Sequence, residues 1–377
     1  MKVAITGIYP ESEERIRGGV EAATLRLSQG LARRGDIDVH VVICNAGRAP
    51  GITNPEPNLT LHSIGGSKRF GNMLLSIPDR RRIAAYLRKL KPEVVHAHSL
   101  DRFALGAIES RLPTVVTIHG IIEMESALET EVSQKVRGAM RNRLVHAALR
   151  KARNVILLSP YVAEHYARDL RRANTWTIEN PVADSFFAID EPEERNTVLH
   201  AGLLIPRKGI GNLLQAARIA RAEVSDIKIR FAGGATIPDY KEEIDRTVSE
   251  LGLQENVAFL GNLSPAELAL EYGKCELMVM VSKQETLPVA IAECMAAGKP
   301  VIASPVGGIP YIVRENETGY LVPHGEPEHL AEKIVSLLSN RRLREKMGAA
   351  AKAYARERFT MESVCDRTVA VYREIAK

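Results

Sequence analysis

The sequence predicts an α/β protein with two doubly wound parallel sheets. Its 377 residues are too many for one ordinary core and fit two domains of average size. Short runs rich in β-branched residues alternate with amphipathic stretches of helical length through both halves, which is typical of βαβ units. Between the two sets of strands, a stretch rich in Pro, Asp and Glu predicts an interdomain linker over residues 180–196.

The first half, residues 1–179, contains seven candidate strands: KVAIT (2–6), VHVVIC (39–44), LTLHSI (59–64), VVHAH (94–98), TVVTIH (114–119), NVILLS (154–159) and TWTIEN (175–180). EAATLRLSQGLARRG and DRRRIAAYLRKL lie between them and have the periodicity of amphipathic helices.

The second half, residues 197–359, repeats the pattern with TVLHAGLLI, IKIRFAGG, VAFLG, LMVMVS and PVIAS as strands and with helices such as GIGNLLQAARIARAE. The last segment, residues 360–377, predicts a closing helix.

The composition is that of a globular protein in the cytoplasm. No apolar run approaches the roughly 20 residues of a membrane span, and the four cysteines lack the spacing of a metal site. The net charge of +5 is uneven, because residues 1–180 carry 27 Lys or Arg against 18 Asp or Glu. That excess suggests an anionic partner for the first half, although a solvated basic face would explain it equally well.

The stretch KQETLPVAIAECMAAGKPVIAS, residues 283–304, is the strongest candidate site. Pro288 is suited to the first turn of a helix that continues to Gly298, so Glu285 lies in the loop before the helix and Glu293 more than one turn inside it. A helix N-terminus after a strand binds phosphate well, and a nucleotide sugar would fit there with its hydroxyls on the two carboxylates. An ion pair between Glu293 and a Lys or Arg is an equally open interpretation of this carboxylate.

Two further segments could contribute to a phosphate site. Arg207, Lys208 and Gly209 follow a strand and lead into a helix, which places two cations where a diphosphate would be neutralised. Gly307 and Gly308 follow another strand, and their amides could also face phosphate. A plain turn is the more common explanation of such a glycine pair.

In the first half, Gly18 and Gly19 stand between the first strand and its helix. The loop lacks G-x-G-x-x-G, and Asn45 rather than an acidic residue follows the second strand, so a dehydrogenase is disfavoured. His119 and His98 end neighbouring strands at the edge where such sheets carry catalytic groups. A hydrogen-bonded structural histidine is the alternative, and the more common one.

Metal and nucleic-acid sites are not indicated. Asp36 and Asp38 form a D-x-D in the turn that enters the second strand, at the wrong end of the sheet for catalysis. The stretch 135–153 has seven Lys or Arg and no acidic residue, which makes it a candidate for peripheral contact with the inner face of a membrane. An ordinary surface helix is favoured, and no aromatic residues interleave with the basic ones as nucleic-acid binding would require.

Seven segments of the sequence, taken together, resemble the retaining glycosyltransferases of family 4. In order along the chain, they are the glycine pair at 18–19, VVHAHS, TIHG, IENPV, GLLIPRKGIGNLLQAA, ETLPVAIAECMAAGKPVIAS and VGGIPYIVRENETGYLV. The most specific part is the pair of glutamates separated by seven residues and followed by A-x-G-x-P-V-I-A-S. The resemblance implies the GT-B fold, in which two Rossmann-like domains face each other across a cleft. The second domain would bind a nucleotide-sugar donor and the first the acceptor, with the last helix crossing back to the first domain.

Carried over by motif, Glu293 would bind ribose, Glu285 the transferred sugar, and Lys208 the diphosphate. Arg207, from a different position, would substitute for the second phosphate-binding Arg that the family often has. The resemblance also places Thr286, Leu287, Pro288 and the two glycine pairs at the donor, and it places His119 near the reacting carbon. It implies a retaining, metal-independent hexosyltransferase without a cofactor, acting on a lipid, polysaccharide or small molecule.

The chain departs from the family pattern at two positions. Leu203 stands where the family often has Arg, and Tyr311 where it often has Glu. A catalytically silent partner subunit that binds a nucleotide sugar is therefore a second hypothesis. A nucleotide-sugar epimerase of the same fold is a third, and the spacing of the two glutamates argues against it.

Overall fold

The computed structural model of the protein describes residues 1–67, 76–126 and 132–377, and they divide into two compact units. Unit 1 comprises residues 1–11, 17–181 and 361–377, and unit 2 comprises residues 12–16 and 182–360. Most of the predicted linker belongs to unit 2. There Phe186 packs edge-on against Tyr272, and Glu193 forms an ion pair with Lys299 at 2.8 Å.

Strands β1 to β8 form the sheet of unit 1: β1 Lys2–Gly7, β2 Asp38–Ile43, β3 Gly51–Glu56, β4 Leu59–Ser63, β5 Val94–His98, β6 Thr114–Ile118, β7 Asn154–Leu157 and β8 Asn174–Thr177. Strands β9 to β14 form the sheet of unit 2: β9 Thr197–Ala201, β10 Lys228–Ala232, β11 Val257–Gly261, β12 Leu277–Met280, β13 Val301–Ala303 and β14 Gly319–Leu321.

The helices are α1 Gly19–Arg33, α2 Ile77–Leu90, α3 Arg102–Glu109, α4 Ile122–Ser126, α5 Val132–Leu149, α6 Pro160–His165, α7 Asp184–Phe187, α8 Ile210–Ala220, α9 Pro238–Glu250, α10 Pro265–Lys274, α11 Val289–Ala296, α12 Pro327–Ser339, α13 Arg341–Arg358 and α14 Met361–Ile375. The described residues also contain two single 3-10 turns, Pro206–Lys208 and Ile309–Tyr311.

Both sheets are doubly wound, as the sequence predicts. Within the described residues the order is β3-β4-β2-β1-β5-β6-β7-β8 in unit 1 and β11-β10-β9-β12-β13-β14 in unit 2. Neighbouring strands are parallel except β3 and β4. The direction of winding reverses between β1 and β5 and again between β9 and β12. In open α/β sheets, ligands bind outside the carboxyl ends of the strands at such switch points.

The last helix, α14, packs in unit 1. The Tyr372 hydroxyl lies 2.6 Å from His96 Nδ1 on β5, and Arg367 donates to Glu179 at 2.6 Å. The thiol of Cys365 lies against Gly30 of α1, where a β-carbon would come within 2.6 Å of the sulfur. The closing helix predicted from the sequence is therefore part of the core of unit 1.

The basic stretch 135–153 forms the greater part of α5. In its described portion, Val145, Ala148 and Leu149 are buried in the core of unit 1, and His146 pairs with Asp169. This packing supports the interpretation as an ordinary surface helix over that portion. Among the described residues, none of the helices is both long enough and apolar enough to cross a membrane.

Four buried histidines and the half-buried His119 make the native state sensitive to acid. Burial lowers the pKa of His62, His119 and His200 to about 4, that of His96 to about 3, and that of His98 well below its usual range. Because an unfolded histidine titrates near pH 6.5, the unfolded chain binds more protons below that pH, and stability rises with pH in this window. We expect the melting temperature to fall progressively from about pH 6.5 to about pH 4.

A matched pair of variants tests the origin of this pH dependence. His329 is only partly buried on α12, so His329→Gln should leave the slope of melting temperature against pH unchanged. His62 is buried on β4 and is hydrogen-bonded to Tyr86 of α2, so His62→Gln should flatten the slope of melting temperature against pH. A melting temperature that stays constant across the window in the unmodified protein would contradict the prediction.

Candidate active site

The switch point of unit 2 brings together Lys208 and Glu285. Lys208 ends the 3-10 turn that follows β9, and Glu285 lies in the loop that follows β12. The lysine Nζ lies 2.6 Å from Glu285 Oε1, and Arg207 Nη1 lies 3.3 Å from the same oxygen. Lys208 is 9% exposed and Glu285 is 6% exposed. A buried carboxylate and a buried lysine, with a half-buried arginine beside them, therefore lie where a ligand is expected.

The cluster is ionised at neutral pH. Burial by itself raises the pKa of the Glu285 carboxyl, but the attraction of Lys208 and Arg207 and the hydrogen bond from Lys208 outweigh it, leaving that pKa below its ordinary value. Two cations and one carboxylate give the cluster one net positive charge. Such a cluster can bind an anion and still accept a hydrogen bond from a hydroxyl group.

Backbone geometry fixes the loop that carries Lys208. Gly209 has φ +69°, and a β-carbon there would lie 2.2 Å from the carbonyl oxygen of Val281, so only glycine fits. The Lys208 amide donates to Ile205 at 2.9 Å, and the Lys283 amide donates to the Arg207 carbonyl at 2.8 Å. The loops after β9 and β12 are therefore hydrogen-bonded to each other.

Helix α11 carries Glu293. Pro288 occupies the N-cap and not the first turn, and the helix begins at Val289 and ends just before Gly298, which has φ +78°. Thr286 and Leu287 are buried in the preceding loop. Glu293 is half-buried, and its carboxylate accepts a hydrogen bond from the Tyr272 hydroxyl at 3.2 Å. Tyr272 was not predicted, since it lies on α10 and no local pattern connects it to Glu293.

The second glycine pair is only partly available to a ligand. Gly307 has φ +58° and follows β13, as predicted. The Gly308 amide donates to the backbone carbonyl of Glu285 at 3.3 Å. This hydrogen bond holds the loop after β13 against the Glu285 loop, so the Gly308 amide has a structural role, and a phosphate contact of this glycine stays a prediction.

His200, at the end of β9, is a polar group that the sequence reasoning missed. Its Nδ1 donates to the Val279 carbonyl at 3.0 Å, and its buried Nε2 has no hydrogen-bond partner among the described residues. A β-carbon at Gly202 would lie 3.6 Å from Lys208 Nζ and 3.8 Å from His200 Nε2. Its position at a strand end, which drew attention to His98 and His119, could have identified it.

In unit 1, two of the predicted positions lie at the start of α1. Gly18 is the N-cap and Gly19 the first helical residue. No side chain caps this helix, and a β-carbon at Gly18 would meet nothing within 4 Å. There is therefore open space for a ligand to approach this helix N-terminus.

His119 follows β6 directly and is hydrogen-bonded to His98 at the end of β5, with 2.9 Å between His98 Nδ1 and His119 Nε2. Burial lowers the pKa of His119 to about 4, so its imidazole is neutral at physiological pH. It can therefore act as a hydrogen-bond donor and acceptor but not as a cation.

The D-x-D residues are engaged in structural contacts. Asp36 pairs with Arg34 at 3.3 Å and with Arg373 at 3.1 Å, and Asp38 pairs with His40 at 3.0 Å. Among the described residues there is no group of three or more His, Cys, Asp or Glu side chains that could hold a metal ion.

Comparisons with known families place both halves of the sequence. The family described as "Glycosyltransferase Family 4" matches residues 17–186, and "Glycosyl transferases group 1" matches residues 182–354. The D-inositol 3-phosphate glycosyltransferase of Segniliparus rotundus is 27% identical, over 94% of this chain and 84% of the relative. The N-acetyl-alpha-D-glucosaminyl L-malate synthase of Bacillus anthracis is 23% identical, over 100% and 98%.

Solved structures match over the full length. The sucrose-phosphate synthase of Thermosynechococcus elongatus has a TM-score of 0.80 and 23% identity, covering 99% of this chain and 98% of that chain. Anabaena HepE in complex with UDP-glucose has a TM-score of 0.73 and 19% identity, covering 99% and 100%. At these identities the likeness establishes the fold alone, and it confirms the GT-B class predicted from the sequence.

Proposed function

This chain belongs to glycosyltransferase family 4, the glycosyl transferases group 1, and we propose that it moves a hexose from a nucleoside-diphosphate sugar with retention of configuration. The observation that carries the proposal is the cluster of the buried Lys208 and Glu285 with the half-buried Arg207 at the switch point of unit 2. Two cations beside one carboxylate suit a ligand that has a diphosphate next to sugar hydroxyls.

Each candidate residue has a defined part in this proposal. Lys208 and Arg207 neutralise the diphosphate, Glu285 accepts a hydrogen bond from a hydroxyl of the transferred sugar, and Glu293 binds the ribose. The backbone at 286–288 and at Gly307 lines the sugar site. Gly18 and Gly19 allow close approach of the diphosphate, and His119 contacts the sugar near its reacting carbon.

The reaction that this arrangement favours needs no protein nucleophile. The acceptor oxygen attacks the anomeric carbon on the face from which the diphosphate departs, and the bond from that carbon to the phosphate oxygen breaks with its electron pair. The acceptor proton then moves to the leaving oxygen, so the products are a glycoside and a nucleoside diphosphate. Catalysis rests on positioning and on the charge of Lys208 and Arg207, with no metal ion required.

We infer an anionic acceptor from the charge of the first half. Residues 1–180 carry 27 Lys or Arg against 18 Asp or Glu, whereas the rest of the chain is net acidic. A positive surface raises the local concentration of an anionic substrate. The name of the Segniliparus relative includes a phosphorylated inositol, which supports this class of acceptor among the lipids, polysaccharides and small molecules that the family resemblance allows.

Leu203 favours a second candidate function, a partner subunit that binds a nucleotide sugar without turning it over. The half-buried Leu203 follows Gly202 close to Lys208, at the position where the family often has a second phosphate ligand. Binding of a donor without transfer or hydrolysis, with every acceptor tried, would favour this alternative.

The test of the proposed function is a thermal-shift panel of UDP, GDP, ADP and dTDP with their common sugar conjugates, in EDTA and again with magnesium. We expect one nucleotide to stabilise the protein in EDTA, because ligands that bind only the native state raise its melting temperature. The positive nucleotide then selects the donor for transfer assays. Stabilisation by none, or only with magnesium, would contradict the proposed donor site.

Glu293→Gln should weaken binding of that nucleotide by about ten-fold or more, because a neutral amide makes weaker hydrogen bonds to ribose hydroxyls than a carboxylate does. Isothermal titration with the nucleotide and with its free base separates the two contributions. Tyr272→Phe, which removes the phenol that donates to Glu293, is the matched control and should have the smaller effect. Unchanged affinity in Glu293→Gln would remove the ribose role.

A further inference from the structure

Unit 2 contains a cavity of about 360 Å³ that is lined by helices α8 and α9 and by the loops after β12 and β14. Ligand sites in proteins commonly have volumes of about 300–1,000 Å³, so a small metabolite would fit. Pro206 and Gly209 line the cavity. The side chains of Arg207 and Lys208, which lie between them in the sequence, are paired with Glu285 instead. The turn therefore separates the cavity from the candidate donor site.

Asn212 of α8 is the polar side chain that indicates an occupant. It lines the cavity and is 8% exposed, and its Nδ2 has no hydrogen-bond partner among the described residues. A buried amide without a partner costs stability, and a ligand that accepts from it would remove this cost. A half-turn of the amide exchanges Nδ2 with Oδ1, so the nitrogen can donate to a ligand from the position of the oxygen.

The part of the cavity at the start of α8 favours an anion. Helix α8 is 11 residues long, and no side chain caps its N-terminus at Gly209. Such a terminus has unpaired amides and a partial positive charge, which suit a phosphate. His324 also lines the cavity, and its Nδ1 would lie 3.1 Å from a β-carbon on Gly209. That nitrogen donates to the Val281 carbonyl at 2.9 Å, which leaves Nε2 as the second hydrogen-bonding atom of the ring.

Helix α9 presents groups that suit sugar hydroxyls. Tyr240, Glu243 and Thr247 line the cavity, and their spacing of three and four residues places them on one face of the helix. The Thr247 hydroxyl donates to the Glu243 carbonyl at 2.9 Å, so its oxygen is left to accept. Burial and the charge of Glu243 raise the pKa of Tyr240 to about 12, so its phenol stays protonated at neutral pH. Leu214 and Ile244 add apolar surface for a sugar ring.

These two parts of the cavity together define the ligand. A phosphate ion suits the start of α8, but in the rest of the cavity it would meet the carboxylate of Glu243, to which only a donor can bind. A neutral sugar suits α9 but leaves the helix N-terminus without an anion. A sugar that carries one phosphate satisfies both parts.

We propose that this cavity is a second ligand site, separate from the donor site, and that it takes a monosaccharide with one phosphate group. The phosphate binds at the start of α8 beside His324, and the hydroxyls of the ring contact Asn212 and the polar face of α9. The inference goes beyond the proposed function and does not depend on it, because binding is measured without nucleotide and without turnover.

The first test is isothermal titration of the full-length protein with the 6-phosphates of glucose, mannose and galactose, and with glucose and inorganic phosphate as the two halves of the ligand. We expect at least one hexose phosphate to bind about ten-fold or more tightly than either half, because it makes both sets of contacts. Binding of none of the three at millimolar concentration would overturn the proposal. Inorganic phosphate that binds as tightly as the hexose phosphates would also overturn it, since the site would then be one for anions only.

The second test is Asn212→Leu, which replaces the amide by an apolar group of similar size. An unpaired buried amide costs stability, so we expect an equal or higher melting temperature without ligand. The same variant should bind the hexose phosphate about ten-fold or more weakly, because one hydrogen bond to the ligand is lost. A lower melting temperature would show that the amide serves the fold, and unchanged affinity would show that it does not serve a ligand. Either result would overturn the proposal.

The third test locates the bound sugar. Gly211 lines the cavity, and a β-carbon there would meet nothing within 4 Å, so Gly211→Leu should fold and fill part of the space. We expect this variant to lose binding of the hexose phosphate. Glu293→Gln, on α11 in the candidate donor site, is the control and should keep that affinity within about three-fold. Binding retained in Gly211→Leu would place the sugar elsewhere and overturn the proposal. If Gly211→Leu failed to fold, Asn212→Leu would still decide.

Discussion

Replacing Lys208 by methionine is expected to lower kcat by about 100-fold or more, the size of effect seen when one preorganised charge is removed from a transition state. In the proposed reaction, negative charge builds on the diphosphate as its bond to the sugar breaks, so a cation fixed beforehand at that position would stabilise the transition state more than the bound substrate. Lys208 is held in this way by the turn at Gly209 and by its 2.6 Å contact with Glu285. Steady-state kinetics with saturating donor would measure the loss.

The controls must separate this charge effect from unfolding. Removing Lys208 leaves the buried Glu285 with Arg207 as its cationic neighbour, and we expect a loss of about 1–3 kcal/mol in stability. The double variant Lys208→Met/Glu285→Gln should regain part of that stability and none of the turnover. Lys283 is exposed in the loop that precedes Glu285, so Lys283→Met is the matched control and should change kcat less than three-fold. A change of only a few-fold in Lys208→Met would assign the charge stabilisation to another group.

The sequence identifies both members of this cluster but not their contact. Lys208 and Glu285 are 77 residues apart, and each was selected because it follows a strand. Only the strand order of unit 2 puts β9 next to β12 with their connections winding in opposite directions. Local patterns carry no information on which strands become neighbours, so the ion pair follows from topology and could not be predicted from spacing.

The same reasoning explains which elements were missed. All twelve predicted strands exist, and most of them are buried runs rich in β-branched or other apolar residues, although β8 and β11 are largely or partly exposed. Strand β3 contains Asn54 and Pro55 and is almost wholly exposed, and β14 has three residues, so neither shows a hydrophobic pattern. The prediction therefore gives each sheet correctly except for one edge strand, β3 in unit 1 and β14 in unit 2. The hydrogen bond of the Gly308 amide could not be predicted for a related reason, since its acceptor lies in a loop that is distant in sequence.

The largest expected effect on stability comes from Gly209→Ala. A β-carbon at this position would lie 2.2 Å from the Val281 carbonyl oxygen, which already accepts a hydrogen bond from His324 at 2.9 Å and cannot easily move. The left-handed φ of +69° adds a cost of about 1–2 kcal/mol for any residue with a β-carbon. We expect unfolding to become easier by about 3 kcal/mol or more, with a drop in melting temperature of roughly 6–12 °C.

Gly211→Ala is the matched control, two residues further along the chain. A β-carbon there would meet nothing within 4 Å, and the residue lies in the first turn of α8. Alanine should therefore leave stability unchanged or raise it by up to about 1 kcal/mol. Urea denaturation and kinetics on both variants would show whether stability and turnover fall together in Gly209→Ala, as expected if the turn that orders the chain also positions Lys208. Equal stability of the two variants would mean that the loop can relax around the extra carbon, and the fixed position inferred for Lys208 would lose its basis.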